Sequence, residues 1–360
     1  MTCYNPIPAC YSKAGFAKTG RKDIHLVLHE DTHDKYLLNE KNFPHALYEY
    51  IKVPCKKCVG CRSDNARMWT LRAFHELKLH KYNCFITLTY DNNSEVVYDD
   101  PLCIASLRYK HFQNFMKRLR KRFPNDKIGY IVCGEYGLKD GRAHWHAILF
   151  GFDFPDKELI YVKNGYNHYY SQILQDCWST YIKERDYYEP IGFIDLCDVD
   201  LDCCKYVAGY VLKKLPVDNK GATVGHYLDD NGNLQDIELV GVAPPIIRTS
   251  RNPSIGLKWF EKYGKNSVEN GFCYQPDKLH TSVQKIKTPS YYNYKFEKLY
   301  PEEYQIIKKR KEEKMKEYYS EHSLSKSELQ SMSDSHLYRI KKKLKDTLSK
   351  IPFYKKDLTL

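Results

Sequence analysis

Two runs rich in β-branched and aromatic residues, 128–136 and 143–150, stand either side of Gly137-Leu138-Lys139-Asp140-Gly141-Arg142. Asp-Gly between such runs signals an antiparallel hairpin, because only residues that tolerate a left-handed backbone close a tight turn of matching twist. A strand alternates its side chains, so positions i and i+2 share a face. His144 and His146 therefore converge on one face with Ile148 and Phe150, while Trp145, Ala147 and Leu149 take the other. Two convergent imidazoles are a pair of ligands for a divalent cation; two strand histidines also occur as ordinary packing residues. Glu135 is a third ligand candidate. A loop at Lys139-Asp140 sets it opposite His144, and a loop at Asp140-Gly141 sets it opposite His146. Directly opposed residues share a face, so either even loop brings the carboxylate to the histidines.

Further elements surround this hairpin. Cys84-Phe85-Ile86-Thr87-Leu88-Thr89-Tyr90 reads as a strand stopped by Asp91-Asn92-Asn93, and 191–199 as a weaker strand. Residues 107–122 place Leu107, Phe112, Phe115, Met116 and Leu119 at helical spacing. The other face of that helix carries Lys110, Lys117, Arg118, Arg120, Lys121 and Arg122, either a solvated face or a phosphate track. Residues 202–215 form a second helix with Asp200 or Asp202 as N-cap. In it Tyr206 and Tyr210 are four apart and share a face, with Lys213 on the same side. Gly209 inside this helix costs about 1 kcal/mol relative to Ala, which close approach of another backbone would explain.

The ordered set of motifs resembles the three-motif signature of HUH endonucleases, the rolling-circle initiators and relaxases. The finer resemblance is to replication initiation proteins of microviruses, the gokushovirus branch above all. It is carried by Val53-Pro54-Cys55-x-x-Cys58-x-Gly60-Cys61-Arg62, Phe85-Ile86-Thr87-Leu88-Thr89-Tyr90, Cys133-Gly134-Glu135-Tyr136-Gly137, His144-Trp145-His146, Tyr206-Val207-Ala208-Gly209-Tyr210-Val211 and Ser250-Arg251-Asn252-Pro253 with Trp259-Phe260. Lys56-Lys57 departs from the family pattern, in which Gly is expected near the first cysteine. The resemblance implies an α+β fold: an HUH core of about five antiparallel strands, an RRM-like or ferredoxin-like palm, with packed helices and helical terminal extensions. It implies metal-dependent nicking and rejoining of single-stranded origin DNA through a 5′-phosphotyrosine, with Tyr206 and Tyr210 as nucleophiles and Lys213 as a helper at the phosphate. His144, His146 and Glu135 would hold Mg²⁺ or Mn²⁺. A relaxase or transposase of the same chemistry, or a zinc-stabilised single-strand-binding protein without catalysis, are the rival readings.

Composition bears on partners and compartment. Fifty-seven Lys and Arg against 45 Asp and Glu leave a net charge of +12, which suits a polyanion. Origin DNA, single-stranded or supercoiled, is the expected partner, contacted by Arg118, Arg120, Lys121 and Arg251. No Gly-x-x-x-x-Gly-Lys-Ser/Thr stretch occurs, so a host helicase is expected to unwind the duplex and a host polymerase to extend the 3′ end. No apolar run approaches the ~18 residues of a membrane helix, and Met1-Thr2-Cys3-Tyr4-Asn5-Pro6 lacks the basic start and apolar run of a signal peptide, so no membrane partner and a host bacterial cytoplasm are expected. Thirteen cysteines, an odd number, argue for reduced thiols. Cys84, Cys133 and Cys177 read as core residues. Cys55, Cys58 and Cys61 offer three thiolates for a structural Zn²⁺ whose fourth ligand would be Cys3, Cys10 or a His; three thiols packing a turn is the competing reading. The organisation reads as an N-terminal extension (1–80) with the cysteine cluster and a helix from about Ser63, the HUH core with a loop-rich insertion (81–290), and a basic helical region (291–360). A stripe of Leu337, Ile340, Leu344 and Leu348 marks an amphipathic helix in the last.

Overall fold

The computed structural model describes residues 3–4, 6–12, 24–26, 44, 46–56, 58–94, 96, 106–137, 142–213, 223–228, 234–239, 243, 245–270 and 287–321, with 331, 334, 335 and 338. The C-terminal stripe Leu337, Ile340, Leu344 and Leu348 lies outside them. The chain divides into two units, Met1–Asp64 with Ser323–Lys341 and Asn65–His322 with Lys342–Leu360.

The first unit contains β1 (Ile7–Ser12), β2 (Ile24–Leu26) and β3 (Tyr48–Val53), paired antiparallel in the order β2-β1-β3. This region reads as irregular in the sequence because its strands are short and one contains Pro8. Helix α1 (Val59–Leu77) starts within the cysteine cluster, just after Cys58 and ahead of the expected Ser63.

The second unit is built on β4 (Asn83–Thr89), β5 (Gly129–Tyr136), β6 (Ala143–Phe150), β7 (Glu158–Lys163), β8 (Tyr166–Tyr170), β11 (Ile194–Cys197) and β14 (Ile246–Thr249). They form one seven-stranded antiparallel sheet in the order β14-β5-β6-β4-β11-β8-β7. Two short ribbons, β9 (Ser179–Ile182) with β10 (Tyr187–Pro190) and β12 (Thr223–Leu228) with β13 (Leu234–Leu239), stand apart from it. The fold is α+β, with β6 central as expected. The sheet has seven strands against the expected five or so, the β7–β8 hairpin lying at one edge. That hairpin turns at Asn164-Gly165, both at positive φ (53° and 84°), as an Asn-Gly pair between strands favours. The stretch 216–290, expected to be loop-rich, contributes the edge strand β14.

The remaining helices are α2 (Tyr109–Arg122), α3 (Gln172–Cys177), α4 (Leu201–Lys213), α5 (Leu257–Asn270), α6 (Ser290–Leu299) and α7 (Pro301–Glu321). Strand alternation sends Trp145, Ala147 and Leu149 to one face, where they meet Phe112, Phe115, Met116 and Leu119 of α2. Ile148 and Phe150 go to the other, where they meet Ala73 and Phe74 of α1 and Cys203, Cys204, Tyr206 and Val207 of α4. Cys84, Cys133 and Cys177 are buried, as expected. A third cluster joins Leu71 of α1 to Trp259, Phe260, Tyr292 and Phe296 of α5 and α6. Among the described residues no helix is long and apolar enough to cross a membrane.

Candidate active site

The site lies on the α4 face of the sheet and is assembled from three adjacent strands and one helix. Register pairs Glu135 with His144 across β5 and β6, and Thr87 with His146 across β4 and β6. Of the two partners open to Glu135 the register selects His144; the loop, residues 138–141, lies outside the described residues. Gly137 N donates to the Arg142 carbonyl at 2.8 Å and closes the ladder. Trp145, between the histidines in sequence, is fully buried on the opposite face and anchors β6 there.

Three heteroatoms converge on one carboxylate oxygen. Glu135 Oε1 lies 3.0 Å from His144 Nε2 and 3.1 Å from His146 Nε2. Tyr206 donates its hydroxyl to the same Oε1 at 2.8 Å and stands 3.1 Å from His146 Nε2. The far ring nitrogens are tethered. His144 Nδ1 stands 3.0 Å from the Arg142 carbonyl oxygen, which only accepts, so Nδ1 carries a proton and its hydrogen bond turns Nε2 inward. His146 Nδ1 lies 2.9 Å from Thr87 Oγ1. A carboxylate facing an imidazole lone pair at 3.0 Å requires a cation between them, a proton or a metal. Two nitrogens and one oxygen form a mixed donor set for a divalent cation with open positions, softer than the all-oxygen shell that Mg²⁺ prefers. The donor set therefore fits a divalent cation. Glu135 and His146 are buried, whereas the His144 side chain is 16% exposed, so the site opens to solvent on its side.

Helix α4 delivers the tyrosine. Asp200 Oδ1 accepts from the amides of Asp202 and Cys203, both at 2.9 Å, so Asp200 is the N-cap and Asp202 is not. Cys203, Cys204, Tyr206 and Val207 form the buried side of the helix, and Tyr206 meets His146 edge-on at 5.0 Å. Gly209 is buried. Tyr210 and Lys213 lie on α4 four and seven residues beyond Tyr206; their side chains lie outside the described residues.

The basic candidates are not gathered at this site. Arg118, Arg120 and Lys121 belong to α2, on the face opposite the histidines. Arg118 Nε donates to the Cys177 carbonyl and an Arg120 guanidinium nitrogen to the Ile128 carbonyl, both at 2.8 Å, while Lys121 is exposed. Arg251 is exposed just past β14, beyond the end where Thr249 pairs with Ile131. Two participants escape a reading by motif. Thr87 sits in the recognised strand without an assigned role, and its signal is only its register opposite His146. A second buried group is His168, Asp195 and Cys197 on the same face. There Asp195 accepts from His168 Nδ1 at 2.8 Å and from the Cys197 thiol at 2.9 Å. Burial, then the Asp195 charge, holds that thiol well above its ordinary range. Asp195-x-Cys197 on one strand is its signal in the sequence.

A family model for replication-associated proteins of the ORF2 type matches residues 83–215, the stretch from β4 through α4 that carries all of the convergent side chains. Over that stretch the chain resembles replication-associated proteins. Three phage proteins are similar to the chain. The replication-associated protein VP4 of Bdellovibrio phage phiMH2K is 31% identical over 84% of this chain and 80% of its own length. The replication-associated protein ORF2 of Spiroplasma virus 4 is 28% identical over 87% of this chain and 86% of its own. The replication-associated protein ORF4 of Chlamydia phage 1 is 30% identical over 62% and 51%. The chain belongs to this family of phage replication-associated proteins, the microvirus-type replication initiators. No solved structure gives a significant match.

Proposed function

We propose that this replication initiator is an HUH-type transesterase that nicks single-stranded origin DNA through Tyr206 and rejoins the ends. The observation that carries the reading is the Tyr206 hydroxyl, 2.8 Å from Glu135 Oε1 and 3.1 Å from His146 Nε2, inside the histidine–carboxylate group. At neutral pH a free phenol, with pKa ≈ 10, is ionised in only about one molecule in a thousand. Glu135 Oε1 accepts the phenolic hydrogen bond and orients the hydroxyl, whose proton is given up to solvent on the open His144 side of the site. The phenolic oxygen then bonds to phosphorus, the bond from phosphorus to the 3′ oxygen breaks, and that oxygen ends as a 3′-hydroxyl after taking up a proton. The 5′ end stays on the tyrosine as a phosphodiester, so the bond energy is kept and a 3′-hydroxyl can reverse the step. Glu135, His144 and His146 would hold Mg²⁺ or Mn²⁺, which supplies Lewis-acid polarisation of the phosphate and offsets its charge. Arg142 and Thr87 orient the two imidazoles for that task. Tyr210 is the second nucleophile, which lets one tyrosine hold a 5′ end while the other acts, and Lys213 assists at the phosphate. The free 3′-hydroxyl suits extension by a host polymerase behind a host helicase, in the host cytoplasm.

The test uses purified protein, Mn²⁺ or Mg²⁺ and labelled single strands tiling the origin of the same genome, resolved on a denaturing gel. A covalent protein–DNA band is expected with metal and not with chelator. Tyr206→Phe should lose at least about a hundredfold of the initial adduct rate, and Tyr206→Phe/Tyr210→Phe should form none. Equal adduct in the double variant would overturn the choice of nucleophiles. Binding without any adduct would favour the single-strand-binding reading.

A further inference from the structure

The phosphodiester chemistry leaves one cluster of soft ligands unused. Cys3 precedes β1, and Cys55, Cys58 and Cys61 span the segment from the end of β3 into α1. The four sulfur atoms all lie within 4.8 Å of one another. Cys3 Sγ stands 3.5 Å from Cys55 Sγ and 3.8 Å from Cys58 Sγ. A disulfide needs about 2.05 Å, and none of the four forms one. A tetrahedron with metal–sulfur bonds of about 2.3 Å has edges of about 3.8 Å, close to the spacing seen. The backbone is shaped for thiolates as well. Cys55 N donates to Cys3 Sγ at 3.2 Å, Cys58 N to Cys55 Sγ at 3.2 Å and Tyr4 N to Cys58 Sγ at 3.4 Å. Lys56 takes a left-handed φ of 60°, the turn that swings the Cys58 amide back onto Cys55.

We propose that Cys3, Cys55, Cys58 and Cys61 bind one Zn²⁺ as a structural tetrathiolate centre. Cys3 is the fourth ligand; Cys10 is buried in β1 opposite Tyr50 and is not part of the group. Sulfurs this close enclose a single ion rather than an iron–sulfur cluster, and four thiolates select Zn²⁺ over the hard cations of the nicking site. The centre clasps the start of the chain to the start of α1 within the first unit. That unit has reason to need a staple, since among its described strand residues only Ala9 and Cys10 are buried, too little apolar surface to hold a small sheet. The proposal does not depend on the nicking reading, and its readout is metal rather than DNA.

The test is metal analysis of the full chain purified under reducing conditions and washed with EDTA to strip Mg²⁺ and Mn²⁺. About one zinc per chain is expected, with four thiols shielded from a thiol reagent until a strong chelator is added. Replacement by Co²⁺ should give thiolate charge-transfer absorption and the intense visible bands of a tetrahedral ion. Cys3→Ser should weaken zinc retention at least about tenfold, while Cys10→Ala should leave it unchanged. If Cys3→Ser does not fold, the thiol-protection count on the unaltered protein still decides. Zinc well below one equivalent, iron in its place, or full retention in a soluble Cys3→Ser would each overturn the assignment.

Discussion

Thr87 contributes no ligand, yet it is 2% exposed and lies 2.9 Å from the inner nitrogen of the His146 ring. Thr87→Val keeps the β-branched shape and removes the only function the hydroxyl has there. The buried Nδ1 would lose a partner, and the ring would be freer to rotate away from Glu135 and Tyr206. The expected result is a roughly 10- to 100-fold weaker apparent affinity for Mn²⁺, read by titrating metal against adduct yield, with single-strand affinity and circular dichroism unaltered. Metal response matching the unaltered protein would remove Thr87 from the positioning role. His144 depends instead on a main-chain carbonyl, that of Arg142, so no side-chain exchange at residue 142 should release it. Both imidazoles are thus oriented by ordinary groups that no motif search would select.

Elements meet at one point where size is decisive. Gly192 lies just before β11, and a Cβ there would stand 2.3 Å from the Thr89 carbonyl oxygen and 2.5 Å from the Asp91 amide. Both are backbone atoms of the neighbouring chain segment, which cannot retreat without breaking the Thr89 N–H bond to the Phe193 carbonyl. Gly192→Ala is expected to cost about 1–3 kcal/mol, at the upper end of that range, as a lowered urea midpoint with the slope unchanged. A midpoint within error of the unaltered protein would show that β4 and β11 can separate locally. The hairpin β5–β6 and the strand β4 are legible in the sequence because alternation is a local property. Pairing partners are less so. Loop parity leaves Glu135 two possible partners, and only the ladder puts it opposite His144. Asp200 rather than Asp202 caps α4 because its carboxylate, not its neighbour's, reaches the free amides of the first turn.

At the scale of the molecule, the two faces of the sheet divide the labour. The face with α1 and α4 holds Glu135, His144, His146 and Tyr206; the face with α2 holds an apolar core and carries an exposed basic helix outside it. Lys110, Lys117 and Lys121 are exposed on α2, so a strand following them would have to pass a sheet edge to reach the tyrosine. Replacing all three by Ala is expected to lower the salt slope of single-strand binding by roughly 0.7 for each phosphate no longer neutralised. Adduct formation at saturating DNA should stay within about twofold if, as the proposed function has it, charge on that face supplies affinity without touching the transition state. A collapse of adduct to the level of Tyr206→Phe would place the scissile phosphate near α2 and would contradict this division.

By itself the sequence determines the local periodicities of this protein: the two histidines on one strand face and two tyrosines on one helix face. Each follows from backbone geometry repeated every two or 3.6 residues. Tertiary structure alone decides which long-range partners those faces meet. It brings Tyr206 of α4 onto Glu135, brings Cys3 to cysteines more than fifty positions away, and sends the basic helix to the far side of the sheet. Those outcomes depend on strand register and on which apolar stripe buries against which face, and such choices are made by the whole core at once rather than by any single segment.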